Sequence, residues 1–340
     1  MQVNSLETAS LTLVIPVYGE SPYLGQALDS TLPFLASNTR LLIIDDGLSI
    51  TALNLLKDWL DANRSELITH VVNPSNLGLF KSLNTNLSLV ETEWFCFLCS
   101  DDYLLSDAIR KIQNLAIFGD VGLVLSRFQS VNFDSSVRYD DAEDLLKLIS
   151  QYGFILTPEQ MLLSLLRYGS LNGNLSGMML RKSLWDHIGG FKEDWLHAAD
   201  WDWLVTACNL SRTQVNDQCF VAVRTHENQL SAHNQYNGSA MSEAVEVIKE
   251  LRYHPVTQQH WLSPWWASCL LQHHLWNVLF KRNRRTNDLQ LKASLLLLNQ
   301  AAPLLIIFIA MVCSLPKRLL RKYLMALTYL LGQTRFHKPF

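Results

Sequence analysis

Two adjacent carboxylates, Asp101 and Asp102, interrupt the apolar run WFCFLCSDDYLL at residues 94–105. At the mouth of a core element they repel each other and resist desolvation, so they need water, hydrogen-bond donors or a cation beside them. The same ending recurs twice. IIDDG places Asp45 and Asp46 after a second apolar run, and PVYGES places Glu20 after a third. Helix capping is the ordinary reason for any one of these acids, because Asp and Ser are favoured at N-caps. Three coincidences favour a shared chemistry instead. Carboxylates accept from sugar hydroxyls and magnesium or manganese prefers oxygen ligands, so an acid-lined crevice suits a hard divalent ion and a sugar.

The elements that must bring these acids together are legible as strands. LTLVIPVY (11–18), RLLIID (40–45), ITHVVN (68–73) and the run from Trp94 alternate with helical spacing in SPYLGQALDSTLPFL, ITALNLLKDWLDAN and LFKSLNTNLSLV. This alternation predicts an α/β fold with a doubly wound, mostly parallel sheet. In such sheets ligands bind beyond the carboxyl ends of the strands, which is where the acids fall. No G-x-G-x-x-G follows the first strand and no G-x-x-x-x-G-K-[ST] occurs, so dinucleotide oxidoreductases and P-loop NTPases lose their main support. A phosphate bound here would rely on metal.

With 340 residues, 49% hydrophobic and 17% charged, the chain is long enough for a full core and more than one structural unit. Six cysteines, at 96, 99, 208, 219, 269 and 313, form neither a disulfide framework nor a zinc pattern. Cys96 and Cys99, three apart on a strand, face opposite ways and read as buried thiols. No basic stretch followed by an apolar run opens the sequence, so a cytoplasmic catalytic part is expected. The net charge of −3 hides an asymmetry: residues 251–340 hold 12 Lys and Arg against Asp288 alone, +11, while residues 1–250 hold 16 against 30 acids, −14. We place a boundary near residue 240, with a catalytic domain at 1–240 and a helical extension at 241–340. The acidic part argues against nucleic-acid binding, and the basic part is too apolar to invite it.

That extension carries membrane signals. WLSPWWASCLLQHHLW is rich in Trp, which favours the lipid interface, and KRNRR follows it. PLLIIFIAMVCSL is short for a span and has basic residues on both sides, which fits a monotopic or re-entrant helix on the inner face of the cell membrane. A soluble helical subdomain packed on the core or on a second copy is the competing reading.

Taken in order, LTLVIPVYGESPYLGQALDSTL, LLIIDDGLS, NLGLFKSLN, WFCFLCSDD, GGFKEDWLHAADWDWL and VRTHENQLSAHN resemble the successive motifs of family-2 glycosyltransferases with the GT-A, nucleotide-diphospho-sugar transferase fold. The resemblance implies inverting, metal-dependent transfer of a sugar from a nucleotide diphosphate sugar donor to a sugar or glycolipid acceptor, in bacterial surface polysaccharide or glycolipid assembly. It also implies roles. Pro16, Val17, Tyr18, Glu20 and Asp46 surround the nucleotide base and ribose, and Asn76, Gly78 and Lys81 approach the base or diphosphate. Asp101 faces the ribose, Asp102 binds a manganese or magnesium ion, and His226 reaches the metal or diphosphate. Asp200 becomes the general base, with Asp202 a structural carboxylate and Trp201 and Trp203 in the core or the acceptor wall. Three positions depart from the pattern: Cys99 stands at the first acid of D-x-D, Ala199 at the Glu before Asp200, and Leu48 at the small polar residue after DDG. A sugar-nucleotide pyrophosphorylase would share the acid-rich crevice but needs a basic Gly-rich loop that PVYGESPYLG lacks. A catalytically silent, membrane-bound sugar-nucleotide scaffold is the third reading, and oligomerisation is left open.

Overall fold

The computed structural model describes residues 3–5, 11–140, 143–171, 175–226, 229, 239–280 and 288–316. Its strands are β1 (Val3–Ser5), β2 (Leu11–Gly19), β3 (Arg40–Leu48), β4 (Ile68–Val72), β5 (Trp94–Phe97), β6 (Tyr103–Leu104), β7 (Ala116–Phe118), β8 (Val121–Val131), β9 (Val137–Asp140), β10 (Ile155–Leu156), β11 (Met179–Arg181) and β12 (Arg212–Arg224). The α-helices are α1 (Leu24–Asp29), α2 (Leu32–Leu35), α3 (Ile50–Ala62), α4 (Leu79–Asn86), α5 (Ala108–Gln113), α6 (Glu143–Tyr152), α7 (Pro158–Tyr168), α8 (Lys182–Ile188), α9 (Ala199–Leu210), α10 (Ser239–Tyr253), α11 (Pro255–Gln258), α12 (Ser263–Phe280), α13 (Asp288–Ala301) and α14 (Leu304–Cys313).

A ten-stranded sheet runs in the order β10-β12-β8-β11-β5-β2-β3-β4, with β6 on β12 and β9 on β8. β5, β2, β3 and β4 are mutually parallel, β11 is antiparallel to both neighbours, and β12 is parallel to β8. The sheet is therefore mixed and mostly parallel, as the alternation of elements predicts. Central strands of a parallel sheet are covered on both faces, which is why β2, β3 and β5 read as unbroken apolar runs. Leu11 to Ile15, Leu41 to Asp46 and Trp94 to Phe97 are all buried.

The helical stretch expected over residues 21–35 is broken into α1 and α2. Ser30 and Thr31 turn their hydroxyls back onto the carbonyls of Ala27 and Leu28, and Pro33 enters the first turn of α2, where its missing N–H does no harm. Beyond β5 an aromatic stack fixes the next helices. Trp185 of α8 packs on Phe191 and Trp203 with ring centroids 5.0 and 5.1 Å apart, and Phe95 and Phe97 meet Trp185 edge to face. The Trp203 indole donates to the Gly189 carbonyl (2.9 Å), so its one polar atom is satisfied inside the stack. This cluster anchors the start of α9, and with it Asp200, to β5, the strand that leads into the turn of Asp101 and Asp102.

The chain divides into two compact units, one of residues 1–158 and 171–227, the other of residues 159–170 and 228–340. The first holds the ten-stranded sheet. In the second, Ala267, Leu271 and Leu275 of α12 and Ile307, Ala310 and Met311 of α14 are buried, and Arg252 donates to the Ala301 carbonyl (2.6 Å). α7 belongs to this unit almost entirely, with Met161, Leu162, Leu165 and Leu166 buried. Large apolar side chains nevertheless stay exposed on α13 and α14: Leu289, Leu296, Leu305, Phe308, Ile309 and Val312. Among the described residues no single helix is long and apolar enough to cross a membrane, and α13 and α14 meet at a bend of 91°. KRNRR at 281–285 and the basic residues from Lys317 to Lys322 lie outside the described residues.

Candidate active site

The two acids that end β3 do different work. Asp45 Oδ1 accepts from the backbone of Gly47 and Leu48, both at 2.9 Å, which closes a tight turn around Gly47 at φ +110°. Asp46 reaches across the sheet edge. Its Oδ1 accepts from Asn73 Nδ2 and the Leu77 amide, and its Oδ2 from the Gly78 amide, all at 2.8 Å. Asn73 also donates to Ser82 Oγ and accepts from Asn86, so a buried polar network ties β3 to α4. Asp46 thus positions the 76–78 loop, and its Oδ2 keeps lone-pair capacity for a further donor.

Around this turn the expected nucleotide-sugar residues separate by exposure. Pro16 and Val17 pair with Ile44 and Asp45 of β3, and Val17 is buried in the core. Tyr18 is 60% exposed, with its ring against Gly47, and Glu20 is exposed at the end of β2. Asn76 Oδ1 accepts from the Gly78 amide (2.9 Å), and Gly78, at φ +82°, begins α4. Lys81 is exposed on α4 and lies 3.8 Å from Glu193.

Past the end of β5 the chain turns, and Cys99, Asp101 and Asp102 bring their ligand atoms within 4.8 Å of one another. Cys99 lies beyond the strand, so the alternate facing expected for Cys96 and Cys99 does not apply; Cys96 is core and Cys99 joins the acids. Asp102 is only 3% exposed. Its Oδ2 accepts from Ser176 Oγ (2.6 Å) and its Oδ1 from the Arg224 amide (2.8 Å). Burial first, and then the charge of Asp101, push the Asp102 carboxyl up to about 8, against the pull of Ser176 and Arg224. Asp101 is more open, and its Oδ2 lies 3.1 Å from His226 Nε2. The His226 ring in turn packs on Tyr23 with centroids 5.3 Å apart.

Asp200 completes the group. Ala198, not an acid, is the N-cap residue of α9; Asp200 sits in the first turn, where its Oδ1 accepts from the Trp201 amide (2.8 Å). Burial, then the charges of Asp102 and Asp101, and more weakly that of Asp200, hold the Cys99 thiol well above its ordinary range. Asp200 is therefore within electrostatic reach of the D-x-D turn. Asp202 is a structural carboxylate: it is buried and takes Lys192 Nζ at 2.6 Å. Trp203 belongs to the core stack, while the Trp201 indole nitrogen is buried with no hydrogen-bond partner among the described residues.

The donor set fits an oxygen-ligated divalent ion. Two carboxylates crowd each other at one turn, one of them held neutral by burial up to mildly alkaline pH, and a cation relieves both penalties. Cys99, kept protonated, offers a hard ion little. Sequence reading missed Ser176 and Arg224, which bracket Asp102. The signal for Arg224 was its place as a lone charge inside the apolar strand run CFVAVRTH; Ser176 gave none.

The profile described as Glycosyl transferase family 2 matches residues 12–187. A Haemophilus influenzae protein named only as an uncharacterized glycosyltransferase is 26% identical over 107 residues, 32% of this chain and 42% of that protein. Glycosyltransferase GlyA of Streptococcus pneumoniae is 22% identical over 129 residues, 38% of this chain and 18% of its own length. The match thus spans less than half of either relative. Among solved structures, Staphylococcus aureus TarS 1–349 in complex with UDP-GlcNAc superposes with a TM-score of 0.59 at 16% identity, covering 87% of this chain and 82% of that one. The mannosyltransferase PcManGT from Pyrobaculum calidifontis, in complex with GDP-Man and Mn2+, gives 0.52 at 14% identity, covering 90% and 86%. At these identities the likeness concerns the fold, which is GT-A-like.

Proposed function

We propose, from the premise that the chain belongs to glycosyl transferase family 2 and is a glycosyltransferase, that it moves a sugar from a nucleotide diphosphate donor to an acceptor hydroxyl with inversion at the anomeric carbon. The observation that carries this reading is the meeting of Cys99, Asp101 and Asp102 within 4.8 Å of one another past the end of β5, with Asp200 near enough for its charge to act on the Cys99 thiol. Asp200 takes the proton of the acceptor hydroxyl as that oxygen bonds to the anomeric carbon. The bond from that carbon to the donor phosphate breaks with its electron pair on the leaving diphosphate, and a single displacement of this kind inverts the centre. The Asp202–Lys192 pair supports Asp200 as the base, because Asp202 is held in its own ion pair. Manganese or magnesium, bound by Asp102 with Asp101 and His226 alongside, would neutralise the departing diphosphate. On the donor side, Tyr18 offers an exposed ring and Asp46 fixes the loop from Asn76 to Gly78 against which a base would lie.

The test is a stability screen of nucleotide sugars with manganese or magnesium. A true donor at a hundred times its dissociation constant stabilises by about 2.7 kcal/mol. That donor should be consumed when acceptor is added. A nucleotide sugar that binds and is never transferred or hydrolysed would make the protein a scaffold.

The C-terminal unit extends the reading to glycolipid or surface polysaccharide assembly at the cytoplasmic face of a membrane. Leu289, Leu305 and Trp261 are 75%, 70% and 82% exposed, and the segment from residue 251 carries +11. Exposed apolar surface with an excess of cationic residues in the same segment favours an anionic lipid surface. The bent α13–α14 pair fits shallow insertion better than a span.

A further inference from the structure

We propose that Arg224 is the positioning residue that locks the Asp101–Asp102 turn, and His226 with it, onto the tip of the β8–β9 hairpin. Arg224 ends β12 and is 1% exposed. A buried guanidinium is tolerated only where its N–H groups find acceptors, and here they tie together segments distant in sequence. Nε donates to the Asp101 carbonyl (2.9 Å), and Nη1 donates to the carbonyls of Asn132 (3.1 Å) and Phe133 (2.8 Å) and to Ser135 Oγ (3.1 Å). Nη2 donates to Gln26 Oε1 (2.6 Å), and Ser135 Oγ also donates to that oxygen. The guanidinium lies 4.0 Å from the centroid of Tyr23, the ring that His226 packs on. Meanwhile the Arg224 amide holds Asp102 Oδ1. One residue thus grips Asp101 by its carbonyl, Asp102 by its side chain and His226 through Tyr23. The far end of the same fork is fastened to the hairpin tip, which sets where the turn stands.

This rests on the reading of Asp102 and His226 as a metal and diphosphate site, and the test separates the two. Lysine keeps the charge but replaces a planar fork by a single ammonium, which cannot span these acceptors. The full-length protein and its Arg224→Lys variant are titrated with Mn2+ in the presence of UDP or GDP, free Mn2+ being read by electron paramagnetic resonance. Loss of a group that orients metal ligands weakens metal affinity by about 10- to 100-fold, and that is the expected result. A double variant, Gln26→Leu with Ser135→Ala, removes the two side-chain acceptors at the far end of the fork, leaves the Asn132 and Phe133 carbonyls, and should weaken Mn2+ binding by a smaller factor in the same direction. Wild-type affinity in Arg224→Lys overturns the proposal. If Arg224→Lys does not fold, wild-type affinity in the double variant overturns it instead. Should the wild-type protein bind the nucleotide without taking up Mn2+, the metal reading falls, and calorimetric nucleotide affinity decides on Arg224: weaker binding in Arg224→Lys supports it and equal binding sinks it.

Discussion

Replacing Asp102 by Asn should flatten the pH dependence of the metal-free protein. The Asp102 carboxyl is moved from 3.8 to about 8 in the folded chain, chiefly by burial. Between those limits the folded state keeps a proton that the unfolded state has released. Stability attributable to this group is therefore complete below the lower value and declines as pH rises toward the upper one. The slope is about 1.4 kcal/mol per pH unit, and the full loss is at most roughly 6 kcal/mol. Asn fits the same cradle, since its oxygen can accept from the Arg224 amide and its NH2 can donate to Ser176 Oγ. The assay is chemical denaturation in chelator between about pH 5 and pH 9. Apo Asp102→Asn should lack this component of the slope and exceed the wild type by several kcal/mol at the alkaline end, within the bound just given. Manganese should then stabilise the wild type, most strongly at high pH, and leave the variant unmoved, because a neutral amide is a poor ligand for a hard cation. Equal slopes in the two proteins, or equal stabilisation by manganese, would refute the reasoning.

Asp200→Asn should retain donor binding and lose transfer by roughly 10² or more, the scale of a lost general base; a collapse of donor affinity with turnover preserved would remove Asp200 from that role. Gly190→Ala should destabilise by about 1–3 kcal/mol, because a new Cβ would strike Asn84 and break the pair of bonds it makes with the Phe191 amide and carbonyl. Thermal denaturation reads that directly, and an unchanged midpoint would show that the 189–193 loop yields. Leu305→Glu combined with Phe308→Glu should release the protein from anionic vesicles in a flotation assay while leaving the melting temperature in place. Binding that persists, or that ignores added salt, would locate the lipid contact elsewhere.

What was legible in the sequence is what local chemistry fixes. Strands β2, β3 and β5 were readable because buried parallel strands need unbroken apolar runs, and the acids at their ends followed from strand direction alone, while β4, half-exposed at the sheet edge, was readable from its β-branched residues. The helical region from 21 to 35 was read as one piece because spacing does not show that Ser30 and Thr31 turn onto the backbone before Pro33. The division of labour among the acids was decided only by tertiary structure. Asp45 closes its own turn, whereas Asp46 takes the amides of residues 31 and 32 positions onward, a distinction absent from the dipeptide. Asp102 meets Ser176 and Arg224, 74 and 122 positions away, and its proton affinity is a property of that enclosure. Likewise, residues 159–170 fold in with the C-terminal helices although they lie between parts of the sheet unit in the chain. A residue's type and its near neighbours set backbone propensity and the chemistry on offer, while burial and long-range donors set the charge state in which that chemistry is delivered.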